Sequence, residues 1–501
     1  MIPLQRLLLL ILLLLPAGLL AAVPALPRPA ELEPAVEFWT RIYTEFSVAE
    51  GVIHDSNDSM RILGVVAVAE PPHWQQRRSQ VRDALKRYRE ALEALAEQSL
   101  VPRNALEQDI AARLPADMRP EDLPELAQRL RFQGGLRERF QAGLIRSGRW
   151  RDYIEQVLES HGVPAELVAL PHVESSFNPI ARSHAGAAGL WQFTAGTGRR
   201  FMRIDPVLDE RLDPWASTRA AAQLLSYNYA EIESWPLAIT AYNHGLNGMR
   251  RAVREVGSRD YGEIRRHYDG PRFGFASRNF YPALLAAADV DARASEFFGN
   301  LDMDPPLEPA RIALPHYTPL ATLLDGVDIN EDVLQALNPG LGPAIWDGRK
   351  FIPRGYALAL PAGPDWGAAI AGLPGSRLYR GQRPDVEHRV AAGDTLSTIA
   401  ARYSVSVSAL KSHNGIANAD FIRIGQQLSL PLAGAMPAAV GGRHYEVRPG
   451  DTLGAIAQRH GIGLQRLARL NGLENPDRLR IGQRLLIDTT AVAAVDSDVE
   501  P

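Results

Sequence analysis

The stretch that decides the reading is His172-Val173-Glu174-Ser175-Ser176-Phe177-Asn178-Pro179, followed by Ser183-His184-Ala185-Gly186-Ala187-Ala188-Gly189-Leu190-Trp191-Gln192-Phe193. Upstream, Pro164 suits the first position of a helix. From there Leu167, Leu170 and Glu174 fall at i, i+3 and i+7, so the carboxyl shares the apolar face and points inward. It also sits at the C-terminal, negative end of the helix dipole. Burial and that dipole both disfavour the charged form and predict a raised pKa. A carboxylic acid kept protonated near neutral pH is what general acid catalysis needs. The competing reading of an inward Glu at a helix end is a structural hydrogen bond to a neighbouring loop.

The loop that follows refines the choice. Gly186-Ala187-Ala188-Gly189 lets a ligand or another backbone come close, because little side chain intrudes. Trp191 offers a flat face suited to a sugar ring, or else belongs to the core as large aromatics often do. Gln192 and Asn243 offer amides able to hold an acetamido group. No Asp or Glu stands between Ser175 and Ile204, so the paired carboxylates of ordinary glycosidases are not visible nearby.

Working outward, residues 135–300 read as an all-α domain. Helices are expected from Trp150 to Ser160 with a stop at Gly162, from Asp213-Pro214 to about Ala230, and from Ser234-Trp235-Pro236 to Gly245. Residues 26–134 read as a helical N-terminal region without chemistry. Its clearest element, Trp74–Leu100, places Val81, Leu85, Tyr88, Leu92 and Leu95 on one face.

Beyond residue 300 the chain repeats. Val390, Gly393-Asp394-Thr395-Leu396, Ile399, Leu410, Asn414-Gly415 and Ile424-Gly425-Gln426 recur 57 positions later without a gap. Agreement of that extent is an internal duplication. Each unit, 388–431 and 445–488, reads strand, helix, helix, strand, with the Thr of Gly-Asp-Thr capping the first helix. A degenerate copy, 305–365, keeps Leu320, Leu323, Leu334 and Asn338 but lacks the Gly-Asp-Thr turn. Pro- and Gly-rich stretches at 362–386 and 431–443 read as linkers, and the small, polar tail 489–501 as disordered. The fold class is therefore mainly α, with small α+β modules of βααβ order.

Arg6, the Leu/Ile run from Leu7 to Leu15, Pro16 and the alanines at 21, 22 and 25 describe a secretory signal peptide over residues 1–25. The alternative is an uncleaved anchor, near the minimum length for a span. The 501 residues carry a formal net charge of -4 and no cysteine. The charge argues neither for nucleic acid nor for a strongly acidic partner, and no nucleic-acid partner is expected. The missing cysteines remove disulfides, thiolate metal sites and a thiol nucleophile. With no His-Glu-x-x-His and no dinucleotide-binding glycine pattern after a strand, neither a metal nor a cofactor is expected. His161, His184 and His244 read as ordinary surface or loop residues.

Glu174-Ser175, then Gly189-Leu190-Trp191-Gln192, then Ala241-Tyr242-Asn243-His244-Gly245 resemble, in that order, the catalytic domain of soluble-type lytic transglycosylases, which share a goose-type-lysozyme-like helical fold. The repeats resemble LysM modules. The resemblance implies a lytic murein transglycosylase of the bacterial periplasm or cell envelope. It would cleave the MurNAc-GlcNAc β-1,4 bond of peptidoglycan glycan strands and leave 1,6-anhydro-MurNAc ends. Glu174 would be its acid and then its base, while Ser175, Gly189, Trp191, Gln192, Tyr242 and Asn243 line or position the substrate. The repeats would hold N-acetylglucosamine-containing glycan. Two departures stand out. There is no cysteine to lipidate, which leaves an uncleaved N-terminal segment as the one route to the membrane. The family's Asn-Tyr before a Pro-containing helix is Asn279-Phe280-Tyr281-Pro282 here, with Tyr281 taken as the counterpart. The rival readings are a lysozyme-like muramidase using water and a non-catalytic peptidoglycan-binding protein.

Overall fold

The computed structural model describes residues 26–487 except Pro71, Pro384, Ser404, 417–421, 434–442, 461–463, 465–466, 469–470, 472 and 474–478. The expected signal peptide and the expected C-terminal tail lie outside the described residues. No described helix is long and apolar enough to cross a membrane.

The N-terminal region begins with α1 (Glu33–Thr44), whose buried Val36, Phe38, Ile42 and Tyr43 pack on a helix 240 residues later. A three-stranded antiparallel sheet follows, order β2-β1-β3, from β1 (Glu50–Asp55), β2 (Ile62–Ala67) and β3 (Leu130–Gly134). The sequence reads this region as mainly helical. The strands escape it because they are five or six residues long. Their apolar runs, Val52-Ile53 and Ile62-Leu63, are too brief to show a period. Helices α2 (Trp74–Glu97), α3 (Ala105–Ala111) and α4 (Leu123–Arg129) cover the sheet around a separate core of Ile53, Leu63, Leu92 and Leu126.

Helices α5 (Arg137–Ser147), α6 (Arg151–Ser160), α7 (Leu170–Ser175), α8 (Ala195–Gly198), α9 (Pro214–Ile232), α10 (Trp235–His244), α11 (Leu246–Val256), α12 (Tyr261–His267), α13 (Phe275–Ala292) and α14 (Ala294–Phe298) form the catalytic-type domain. No named strand occurs among its described residues. Asp213 starts α9 by accepting the backbone N–H groups of Trp215 and Ala216, and Pro214 occupies the first turn. The buried α13 is clasped by α1 and α10, and one core runs from Leu32 to Val290. Packing therefore continues across the boundary expected at residue 134.

The segment before Glu174 is not one helix. Pro164 is extended (φ −53, ψ 137) and precedes a 3-10 turn, Ala165–Ala169, before α7 begins. Pro171 explains the break, since it has no N–H to offer the carbonyl four residues back.

The three C-terminal modules share one scheme. The first has β4 (Ala310–Ala313), α15 (Leu320–Val327), α16 (Glu331–Leu337), an added turn α17 (Pro343–Trp346) and β5 (Ala357–Leu360). After α18 (Trp366–Ala371) comes the second, with β6 (Asp385–Arg389), α19 (Leu396–Arg402), α20 (Val407–His413) and β7 (Gln427–Ala433). The third has β8 (Arg443–Glu446), α21 (Leu453–Arg459) and β9 (Arg484–Ile487). One asparagine brackets each module. Asn338 Nδ2 donates to the carbonyls of Leu334 and Ala359, and its Oδ1 accepts the Ala359 N–H. Asn414 does the same with Leu410 and Ser429, and Asn471 with Leu467 and Leu486. The side chain thus ties the end of a helix to the closing strand. The turn also repeats: Gly393 and Gly450 take φ +86 and +88, and Thr395 and Thr452 cap the following helices.

The 305–365 module is docked on the catalytic-type domain. Asp209 N–H bonds the Gly340 carbonyl and Gly342 N–H bonds Val207, both at 2.8 Å. A Cβ on Gly342 would stand 2.4 Å from the Pro206 carbonyl, so the contact admits only glycine there. Arg311 pairs with Asp213 at 2.9 Å.

Asn338→Ala strips three buried backbone groups of their partner. It should cost about 2–3 kcal/mol, read as a lower urea midpoint for the full chain. An unchanged midpoint would mean that the bracket contributes no stability.

Candidate active site

The short helix α7 delivers Glu174, and its attachments set where the carboxyl lies. Two residues earlier, on the opposite side of the turn, His172 is buried, stacks on Phe140 at 4.4 Å and bonds Asp291 through Nε2 at 3.1 Å. Arg151 grips the same carboxylate with distances of 2.6 and 2.7 Å. That partnership holds the Asp291 carboxyl below its usual range against the effect of burial, and burial keeps His172 low. The helix ends at Ser176, in the left-handed region at φ +51, and Phe177 follows at φ +55. Arg146 closes this end by donating from Nε and Nη2 to the Ser176 carbonyl. The side chains around α7 were not legible in sequence: Asp291 lies 119 residues from His172, and no spacing rule joins them.

Glu174 makes no hydrogen bond or ion pair among the described residues. It keeps part of its surface open, which marks the side from which solvent or a ligand reaches it. Burial alone pushes its pKa up to about 8, and no neighbouring charge contributes. Tyr242 is close enough to feel the carboxylate: burial first, then the charge of Glu174, hold the phenol far above its usual range.

Two hydroxyls peg the facing loop to the helices. Ser175 Oγ donates to the Leu190 carbonyl and Tyr242 Oη to the Trp191 carbonyl, each at 2.7 Å. Successive carbonyls of the loop are thereby fixed by the residue after Glu174 and by α10. Gly189, at φ +84, packs so tightly that a Cβ would lie 1.7 Å from the Arg211 carbonyl. Another backbone, not a ligand, makes use of that glycine. Gly186, at φ +79, has open space around it. Arg211, itself buried, ties the loop from the other side by donating Nη1 to the carbonyls of Gly186 and Phe193 while Asp209 holds its fork.

The remaining expected residues separate. Trp191 is wholly buried and its Nε1 donates to Thr218 Oγ1 of α9 at 2.9 Å, so it cannot stack on a sugar. Its place in the core follows from the loop turning inward after Gly189. Gln192, at φ +48, braces the loop by donating Nε2 to the carbonyls of Ala181 and Gly189. Asn243 is exposed at the end of α10, with Ser277 Oγ 3.4 Å from its Oδ1. Tyr281 is not at the site. It is fully buried, meets Tyr261 edge-on and donates its hydroxyl to the Pro27 carbonyl of the N-terminal arm. With Phe280 between it and Asn279, the tyrosine lies on the face of α13 that receives the arm. Among the described residues no group of three His, Asp or Glu side chains is placed to hold a metal.

Comparison with known proteins accords with this geometry. Residues 152–264 match the Transglycosylase SLT domain, and 388–431 and 445–488 match the LysM domain. The chain carries one SLT transglycosylase domain and two LysM domains. It is 29% identical over 339 residues to membrane-bound lytic murein transglycosylase D of Escherichia coli (strain K12), covering 65% of this chain and 74% of that one. It is 32% identical over 160 residues to an autolysin of Enterococcus faecalis, covering 31% of this chain and 20% of that protein. Among solved structures, the 70 kDa soluble lytic transglycosylase of Escherichia coli overlays with a TM-score of 0.25 and 22% identity, over 30% of this chain and 25% of that chain. The chain is thus an enzyme similar to lytic transglycosylases that bear LysM domains.

The carboxyl's raised pKa has a consequence for stability. An exposed Glu titrates near 4.3, so the unfolded chain releases a proton that folded Glu174 keeps up to about pH 8. Wild-type stability therefore falls as pH rises through that window. Glu174→Gln removes the ionisation. Its melting temperature should gain on wild type from pH 5 to pH 8 and level off above, and a difference independent of pH would show that the carboxyl is not held neutral.

Proposed function

We propose that the chain is a peptidoglycan lytic transglycosylase of the bacterial periplasm or cell envelope, and that it cleaves the MurNAc-GlcNAc β-1,4 bond. One observation carries this reading: Glu174 has its pKa pushed up by burial, makes no hydrogen bond or ion pair among the described residues, keeps part of its surface open, and lies near enough to Tyr242 to act on it. Glu174 donates its proton to the glycosidic oxygen as the C1–O bond breaks. The resulting carboxylate then takes the proton of the MurNAc C6 hydroxyl while O6 bonds C1. A 1,6-anhydro end forms, no water is consumed, and the acid is regenerated. The absence of any charge contribution to Glu174 supports a one-carboxylate route, since a paired carboxylate would act on its titration.

Ser175, Gly189 and Tyr242 serve this chemistry by fixing the loop that faces the acid, and Trp191 serves it from the core. The exposed Asn243 would meet an acetamido group, and Gln192, whose Nε2 braces the loop, would offer only its Oε1. The two LysM domains hold N-acetylglucosamine-containing glycan, and the asparagine bracket supports reading 305–365 as a third, altered copy. Residues 1–25 act as a signal peptide, and left uncleaved they would be the link to a membrane.

Glu174→Gln should lower muropeptide release from purified sacculi by at least about a hundredfold while the variant still sediments with them. Retained cleavage would remove Glu174 from the role of acid. Mass spectrometry of the wild-type products should show ends one water lighter than reducing ends; reducing ends alone would identify a muramidase instead. Deleting 388–488 should weaken sedimentation with sacculi more than turnover of short soluble fragments, because linked weak sites raise the local concentration of enzyme. Equal sedimentation of the shortened chain would count against tethering by the repeats.

A further inference from the structure

We infer that the cleft between the catalytic-type domain and the docked 305–365 module is a second glycan subsite, which holds the strand beyond the bond that Glu174 attacks. The inference rests on the proposed function and extends it. The cleft encloses about 1180 Å³ and does not contain Glu174. Its near wall is the loop leaving α7, including Asn178 and Arg182, and its far wall is α16 and α17, including Gln335 and Trp346. Three residues lie between Glu174 and Asn178, so their Cα atoms are at most about 14 Å apart. A strand seated at the acid and running toward Asn178 enters the cleft.

The chemistry of the walls suits a sugar. Trp346 donates Nε1 to the Leu341 carbonyl, which fixes the indole and spends its polar group inside the module. The ring that lines the cleft is therefore an apolar platform. Asn178 uses its Oδ1 on the Ile180 N–H, leaving its amide N–H groups for a ligand. Gln335 is exposed, and its side chain makes no hydrogen bond among the described residues. Charges of both signs border the cleft, Arg182 against Asp332 and Asp347, so no single-sign field selects an ion. Amides, carboxylates and a flat aromatic match a ligand of hydroxyl and acetamido groups. The walls are also set in advance. The backbone bonds from Asp209 to Gly340 and from Gly342 to Val207, with the Arg311–Asp213 pair, fix the module's position before any strand arrives. A preformed site loses less entropy on binding.

The test compares kcat/KM on long glycan strands with kcat/KM on the shortest fragment cleaved, for full-length wild type, Gln335→Ala and Trp346→Ala. The ratio of long to short should fall at least about fivefold in Trp346→Ala and in the same direction in Gln335→Ala, an exposed position whose truncation leaves packing intact. An unchanged ratio in both variants, or an equal loss on both substrates, overturns the subsite. Wild-type protein that cleaves neither substrate overturns the catalytic reading of Glu174 itself, and the subsite with it.

Discussion

A carboxyl kept neutral by burial survives only where no positive charge settles beside it, and the structure around Glu174 meets that condition. Arginines are near. Arg146 reaches the end of α7 and Arg151 the neighbourhood of His172, yet each is committed elsewhere, one to the Ser176 carbonyl and the other to the Asp291 carboxylate. Neither acts on Glu174. Asp291 thus does two things at once: it orients the histidine under the helix and holds the Arg151 guanidinium beside it. Buried pairs of this kind add little net stability, and their value here lies in arrangement.

The loop opposite obeys a related economy of contacts. Its conformation is specified by hydroxyl groups and one buried arginine acting on carbonyls, not by side-chain interlock at its surface. Gly189 and Gln192 occupy the left-handed region, which costs a non-glycine residue energy. That cost is met by the bonds from Ser175, Tyr242 and Arg211. The wall facing the acid is therefore rigid backbone.

Much of this was legible in the sequence, and the failures share a cause. The inward carboxyl, the helix capped at Asp213, and the repeat with its Gly-Asp-Thr turns all express local rules of spacing and capping. Trp191 was offered as a sugar platform because sequence gives a side chain's chemistry without its direction. Its partner, Thr218, comes from the next long helix. Tyr281 was misplaced for a similar reason: one residue of displacement on a helix changes the face by about 100°. Pro171 split a helix that the apolar spacing drew as continuous. Contacts such as His172–Asp291 arise only from the fold, and no pattern along the chain announces them.

Asp213 links two parts of the molecule that the chain keeps apart. One of its oxygens starts the helix that carries Thr218, the anchor of Trp191, and its carboxylate also receives Arg311 from the docked module. The module next to the enzyme is thereby wired into the enzyme's own frame, and its Phe351, with Tyr379, packs in turn against Leu486 of the last module. Displacing the innermost module would therefore pull on the residue that starts the helix behind Trp191.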